Sequence, residues 1–391
     1  MLELREQQIR TVALLADQAA ELSHWARGTP GDVEGPRVIE RLTPTDRVGW
    51  YHVQPGPYVG RFTLPSGLTV DIASRLPHAA VLEILRVATR EPRLLRDSPV
   101  PAMGGHGLVD LIAAAFTHEL EHLIGVGIAK GYQTRHFTRP PYPGVPDVTL
   151  HLARHLGRPD RLITRAQRLT ADIPVNQVLA AALSTLRAQQ YLDQMRPVRL
   201  RALTPALAHI TTPADPARTA DTIRRQVPSR YRDGFALAEL ILAGQTTLPV
   251  GSGTIGPTVL FSMPVLWELY VQARLEGELA AGHRFSRQHP VLLTDDVTAM
   301  TAKVDLVELD QDGQPTRIVD AKYKQWQATP ATSDLYQVVT YAQRLRLGGA
   351  TLVYPGVGEH SEVVVGPYRI ALRGLDVLET PKTPASSSPD A

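Results

Sequence analysis

Two aspartates and a lysine fall close together toward the carboxy-terminal end of the chain, in Val304-Asp305-Leu306-Val307-Glu308-Leu309 and Arg317-Ile318-Val319-Asp320-Ala321-Lys322-Tyr323-Lys324. Both runs read as strands, and Asp310-Gln311-Asp312-Gly313 between them carries the Asp-Gly signal of a tight turn. A hairpin centred on Asp312-Gly313 sets Asp305 opposite Asp320, with Cβ atoms about 5 Å apart. Pro315 should make the loop less regular than a two-residue turn. Lys322, two residues after Asp320, shares its face. Two carboxylates within reach of one another can bind Mg²⁺ and leave waters and a substrate phosphate to complete the octahedron. The cation lowers the pKa of a bound water and offsets charge on the phosphate, while an ammonium beside it orients water and stabilises the pentavalent state. The bland alternative is a solvated hairpin whose charges merely pair. Against it, Asp305 sits in a run of Val and Leu, where an unpaired buried carboxylate would be costly. The layout is that of a metal-dependent phosphodiesterase.

Flanking segments can bring further groups to this point. Phe261-Ser262-Met263-Pro264-Val265-Leu266-Trp267-Glu268-Leu269-Tyr270-Val271 predicts the start of a helix, with Pro264 in its first turn. Glu268 could reach the metal site from it. Asp334-Leu335-Tyr336-Gln337-Val338-Val339-Thr340-Tyr341 predicts another helix, with Gln337 and Tyr341 four apart on one face. Taken alone, Glu268 is as readily a surface carboxylate, and Gln337 and Tyr341 are ordinary packing.

In order, Glu268, Asp305, Asp320-Ala321-Lys322 and the Gln337 and Tyr341 pair resemble the PD-(D/E)XK nuclease superfamily, and the last pair resembles the Gln-x-x-x-Tyr motif of its RecB-like branch. Met263 to Val271, Asp320 to Lys324 and Asp334-Leu335-Tyr336-Gln337 are similar to McrC, the nuclease subunit family of the McrBC modification-dependent restriction systems. Tyr58-Val59-Gly60, Leu64 to Val70, Leu108 to Phe116 and Asp172-Ile173-Pro174-Val175-Asn176 resemble blocks that recur in order in McrC-like chains. The resemblance covers nearly the whole chain. It departs at Ser74-Arg75, where the family often has Pro-Lys, and at Val304-Asp305, in place of Pro-Asp.

The resemblance implies an α/β fold: a restriction-endonuclease-like core at the carboxy terminus, with a mixed central sheet flanked by helices, preceded by a small β-rich amino-terminal domain and a helical region. It implies a DNA endonuclease in which Asp305, Asp320 and Glu268 ligate Mg²⁺, with Mn²⁺ as the other candidate ion. Lys322 would activate or orient water, and Gln337 and Tyr341 would support the site or the phosphate. The implied partners are modified double-stranded DNA and an McrB-like AAA+ GTPase, which binds the GTP and whose hydrolysis this chain would stimulate through its amino-terminal region. A non-cleaving activator of that motor is the alternative role.

Composition agrees with a cytoplasmic enzyme. The 391 residues suffice for two or three domains, and no apolar run of the roughly eighteen residues that span a membrane occurs. No signal peptide is evident at the start. With no cysteine there is neither a disulfide framework nor a thiolate metal site. A net charge of +2 is too small for tight DNA binding by the general field, so contact should be confined to a local patch or strengthened by a partner. Arg10, Arg61, Arg284, Arg287, Lys303, Lys322 and Lys324 are candidates.

Breaks in pattern suggest a β-rich region over 1–77, a mainly helical region over 78–250, a nuclease domain over 251–378 and a disordered tail over 379–391 rich in Pro and Ser. Helical spacing is clear in Ala79 to Thr89, Leu108 to Gly125, Asn176 to Met195 and the Ala217 to Gly244 region, with Asp172 a candidate N-cap. Two motifs compete with the nuclease reading. His118-Glu119-Leu120-Glu121-His122 spells H-E-x-x-H, so a zinc metallohydrolase is the alternative function. The position of a third metzincin histidine, however, is Ile128, and no Glu lies between Glu121 and Glu239, which leaves Asp147 or a more distant residue as the third ligand. Gly251-Ser252-Gly253-Thr254-Ile255-Gly256 spells G-x-G-x-x-G but is followed at once by Pro257, and reads as a linker. No G-x-x-x-x-G-K-[ST] is present, so nucleotide binding by a P-loop is not expected of this chain.

Overall fold

In a computed structural model of the chain the described residues are 1–27, 37–88, 108–155, 158, 161–188, 196–243, 258–294, 300–326 and 329–378. The G-x-G-x-x-G segment and residues 379–391 lie outside them. The chain forms two compact units interleaved along the sequence. One combines residues 60–70 and 97–260; the other combines residues 2–59, 71–96 and 261–391. These units cut across the chain-order segments suggested by composition.

The second unit is built on a six-stranded mixed sheet, in the order Arg284–Leu292, Thr301–Leu309, Pro315–Ala321, Gly349–Pro355, Tyr368–Leu375, His360–Val365. The first three strands form an antiparallel meander, and Gly349–Pro355 then runs parallel to both Pro315–Ala321 and Tyr368–Leu375. A parallel neighbour requires a crossover, which the helix Thr332–Leu345 supplies. Its apolar stripe buries Val338, Tyr341 and Ala342 against Val304, Val307, Ile318, Leu352 and Ile370. The helix stops at Arg346, whose φ of 57 is left-handed, with its backbone N–H returning to the last turn. This is the expected α/β class, with a mixed sheet flanked by helices.

The helix Met263–Leu275 opens with a proline in its first turn, where no N–H is needed. It fixes its place through Trp267, fully buried, stacked on Tyr270 and donating Nε1–H to the Val353 carbonyl at 3.2 Å. Trp267→Ala is expected to cost about 3–5 kcal/mol, read as a drop in thermal and denaturant midpoints. The helix His78–Ala88 packs against this one.

The amino-terminal part of the same unit holds the three-stranded sheet Arg10–Ala13, Trp50–Pro55, Ile39–Pro44. It also holds a helix, Ala16–Arg27, that the β-rich expectation omitted. Ala19, Leu22 and Trp25 recur every third residue and are buried, and this short helical stripe outweighs the polar surroundings.

The other unit is mainly helical, with Leu108–Val126, Pro174–Ala188, Pro216–Ile223 and Arg232–Ala243 among its helices. It also contains an unforeseen antiparallel sheet, in the order Gly131–Phe137, Thr164–Thr170, Val145–Pro146. Tyr132, Thr134 and His136 on one strand and Arg165, Gln167 and Leu169 on the other are exposed. No buried apolar alternation was therefore there to read. Asp172 does not cap the Pro174 helix. The helix begins two residues later, and the carboxylate instead accepts from Gln177 Nε2, Thr211 N and Thr211 Oγ1. Gly60 has φ +135, and a Cβ there would lie 2.2 Å from the Val259 carbonyl oxygen, so only glycine fits. Arg61, a candidate for DNA, is buried and forms a two-bond pair with Asp110. Its role is structural.

Candidate active site

The carboxylates meet where a hairpin comes apart. Strands Thr301–Leu309 and Pro315–Ala321 pair through Val307↔Ile318 and Leu306↔Val319, the register that a turn at Asp312-Gly313 gives. Gly313 takes φ +80, and Asp310 Oδ1 accepts from the N–H groups of Asp312 and Gln314. The irregularity expected of Pro315 is a one-residue shift, with Leu309 facing Pro315. Asp305 and Asp320 lie one step past the Leu306↔Val319 pair. There the ladder ends, and Asp305 Oδ2 accepts the Ala321 N–H at 2.9 Å in its place. Pro315–Ala321 meanwhile stays paired with Gly349–Pro355 on its other edge, through Ala321↔Val353 and the Lys322 N–H to Val353 O bond of 2.8 Å. One strand held on only one side leaves a gap in the ladder at Asp305 and Asp320, next to Lys322.

A single polar chain runs from that gap onto the crossover helix. Lys322 Nζ lies 2.6 Å from Asp320 Oδ2. It donates to Gln337 Oε1 at 2.8 Å, and Gln337 Nε2 donates to Tyr341 Oη at 2.9 Å. The two helix residues four apart thus face the lysine, and their bonds fix its rotamer. The helix is itself pinned by Lys324, which donates to both oxygens of the buried Asp334 at 2.9 Å. Lys324, another DNA candidate, is thereby a structural anchor. Arg284, Arg287 and Lys303 remain exposed on the first two strands, and Arg10 bonds the Glu3 carbonyl.

Glu268 faces the cluster from the helix Met263–Leu275. Its Oε2 accepts from Gln288 Nε2 at 2.9 Å, and that same nitrogen lies 3.4 Å from Asp305 Oδ1. Arg287 is more distant from Glu268, at 3.9 Å. Sequence reading missed Gln288. It also missed a brace behind the motif, where the wholly buried Glu6 accepts on Oε1 from Tyr323 Oη at 2.7 Å, from Ser74 Oγ and from the Arg75 N–H. The Arg75 guanidinium lies over the Tyr323 ring and donates to its carbonyl at 2.7 Å. Ser74-Arg75, the departure from the family pattern, thus contacts the residue that follows Lys322.

Three carboxylates in a partly to fully buried cluster repel one another. Burial, then Asp320 and Glu268, push Asp305 up to about 7. Burial raises Asp320 too, against the pull of Lys322, and raises Glu268 despite Arg287 and Gln288. Burial alone would lower Lys322, but Asp320, Asp334 and Asp305 outweigh it and hold the ammonium above its ordinary value. Lys322 therefore keeps its proton at neutral pH and acts as a fixed positive charge.

The donor set suits a hard divalent cation. Asp320 is 1% exposed, and its Oδ2 has no hydrogen-bond partner beyond the Lys322 contact among the described residues. Among the described residues no three His, Asp or Glu side chains are grouped closely enough to hold a metal ion unaided. Mg²⁺ needs only one or two carboxylates, with water and phosphate supplying the rest, so Asp305 and Asp320 suffice. Catalytic Zn²⁺ needs three protein ligands. His118 and His122 are both exposed on the helix Leu108–Val126, with no such third group among the described residues. Glu119 between them is half-buried and raised by burial and by Asp233. H-E-x-x-H here lies on a helix surface.

No curated protein matches the chain. Its structure aligns with a chain of a half-complex refined from the tetradecameric assembly of Thermococcus gammatolerans McrB AAA+ hexamers with bound McrC, at 14% identity and a TM-score of 0.56, over 95% of this chain and 94% of that one. It also aligns with a chain of the cryo-EM structure of the Thermococcus gammatolerans McrBC complex, at 15% identity and a TM-score of 0.44, over 71% of this chain and 88% of that one. The first likeness is one of fold. No helix among the described residues is long and apolar enough to cross a membrane. The family model described as "McrBC 5-methylcytosine restriction system component" matches residues 53–355, a span that contains Glu268, Asp305, Asp320, Lys322, Gln337 and Tyr341. The chain belongs to the McrBC 5-methylcytosine restriction system component family.

Proposed function

We propose that this chain is the McrC-type nuclease subunit of a McrBC system, a Mg²⁺-dependent endonuclease of the PD-(D/E)XK kind that cuts modified double-stranded DNA in the cytoplasm. The observation that carries the reading is the pair Asp305 and Asp320, with Lys322 2.6 Å from Asp320, at the point where the hairpin ladder ends. Asp305 and Asp320 would hold the cation, Mg²⁺ or alternatively Mn²⁺, and Glu268 adds negative charge beside them. The cation, when bound, supplies Lewis acidity toward the phosphodiester and offsets charge developing there. Lys322 presents its ammonium to the same phosphate, and because Gln337 and Tyr341 fix its direction it needs no reorganisation as charge builds. Burial of Asp320, with Asp305 half-buried beside it, limits the screening of these charges by solvent.

The partner in this reading is an McrB-like AAA+ GTPase, which binds GTP, recognises modified DNA and is stimulated by this chain. The likeness to an McrB-bound assembly and the absence of a P-loop in this sequence support that division of labour. The test is cleavage of a methylated plasmid by the purified chain with a matching motor, GTP and Mg²⁺. Cutting is expected, should stop with EDTA, and should be unchanged in His118→Ala. Stimulated GTP hydrolysis without cutting would make the chain a non-cleaving activator. Zn²⁺ retained by the wild type and lost in His118→Ala, without cutting, would make it a metallohydrolase.

A further inference from the structure

Gln288 adopts φ +48 inside the strand Arg284–Leu292. Strands do not use that conformation, and a non-glycine residue there is strained. An inserted residue does not explain it, because Arg287↔Leu306 and His289↔Val304 keep one register across it. The backbone turn does have a consequence for the side chain. The carboxamide nitrogen reaches two carboxylates from different elements, Glu268 Oε2 at 2.9 Å and Asp305 Oδ1 at 3.4 Å. A carboxamide has two N–H hydrogens to give and no charge. A lysine or arginine in that position would satisfy the same oxygens but would repel a divalent cation. Gln288 quiets both carboxylates without doing so.

We infer that Gln288 is a positioning residue for the cation site: it ties Glu268 to Asp305 and holds Glu268 as an outer, hydrogen-bonded carboxylate, so that Asp305 and Asp320 face the cation. The inference rests on the nuclease reading, and it assigns Glu268 a supporting place where the family resemblance implied a ligand. Partners of this kind, when removed, lower metal affinity about 10–100-fold.

Glycine separates backbone from side chain, since Gln288→Gly accepts the positive φ while deleting the carboxamide. Mn²⁺ binding to the metal-free chain is measured by titration calorimetry, alongside the melting temperature. Gln288→Gly is expected to melt no lower than wild type yet to bind Mn²⁺ about 10–100-fold more weakly. Glu268→Gln should weaken binding similarly, and the double variant should be no weaker than either single variant. Wild-type affinity in Gln288→Gly overturns the inference, as does an additive loss in the double variant, which would make Glu268 a direct ligand. Asp305→Asn is the control on the underlying reading. If wild type binds Mn²⁺ no better than Asp305→Asn does, the nuclease site itself fails, and the role of Gln288 with it. If Asp305→Asn abolishes binding while Gln288→Gly does not weaken it, only the role of Gln288 falls.

Discussion

Replacing Asp320 by alanine is expected to reduce DNA cleavage by about 10³-fold or more, while stimulation of the motor's GTP hydrolysis persists. Asp320 is 1% exposed and lies 2.6 Å from Lys322, so the substitution removes a cation-holding oxygen and the counter-charge of the lysine together. Lys322 would lose the chief influence holding its ammonium above its ordinary value, and burial would then lower it. Some loss of stability should accompany this, because half of a buried pair is left behind. Asp320→Asn keeps the shape and separates the two effects. It too should fail to cut, with a smaller fall in melting temperature. Cleavage of methylated plasmid, GTP turnover and thermal unfolding on both variants are the measurements. Normal cutting by Asp320→Ala would remove Asp320 from the catalytic machinery.

The second large effect concerns stability. Burial, then Asp320 and Glu268, push Asp305 up to about 7 in the fold against an ordinary 3.8. Between those values the folded state holds a proton at Asp305 that the unfolded chain has released, so the contribution of Asp305 to the stability of the metal-free protein falls as pH rises from about 4 to about 7 and then levels off. At 1.36 kcal/mol per unit, the loss is on the order of 4 kcal/mol at most. Asp305→Asn cannot ionise. The metal-free variant should therefore melt several degrees above wild type at pH 8 and near it at pH 4, and should gain nothing from Mg²⁺. Wild type, in contrast, should recover its loss on adding the cation. If the variant melts below wild type at pH 8, carboxylate crowding is not a source of instability here.

The parts of the site that were legible in the sequence are those governed by local period. The two-residue step from Asp320 to Lys322 and the four-residue step from Gln337 to Tyr341 each fix a face, and the Asp-Gly turn fixes the hairpin register. The same logic misleads at His118 and His122. Their spacing fits a zinc helix, but spacing does not say which way the face points, and here it points to solvent. Gln288 was illegible because its place depends on a backbone angle that no residue type announces. The sheet of Gly131–Phe137 and Thr164–Thr170 lacked the apolar alternation that marks a strand. Asp172 had the chemistry of a cap but stands two residues before the helix it was to cap, and its carboxylate serves Thr211 instead.

Glu6 and Tyr323 are 317 residues apart. Bringing them together closes a long stretch of chain, and contacts of such separation are slow to form, because loop entropy must be lost before the contact rewards it. Ser74 and Arg75 reach the same Glu6 carboxylate across far fewer residues, so they can hold the acceptor in place ahead of Tyr323. The segment that bears Asp320 and Lys322 is then expected to be the last part of the brace to lock. For a protein whose proposed task is to cut DNA, this ties the ordering of the cutting centre to completion of the surrounding fold.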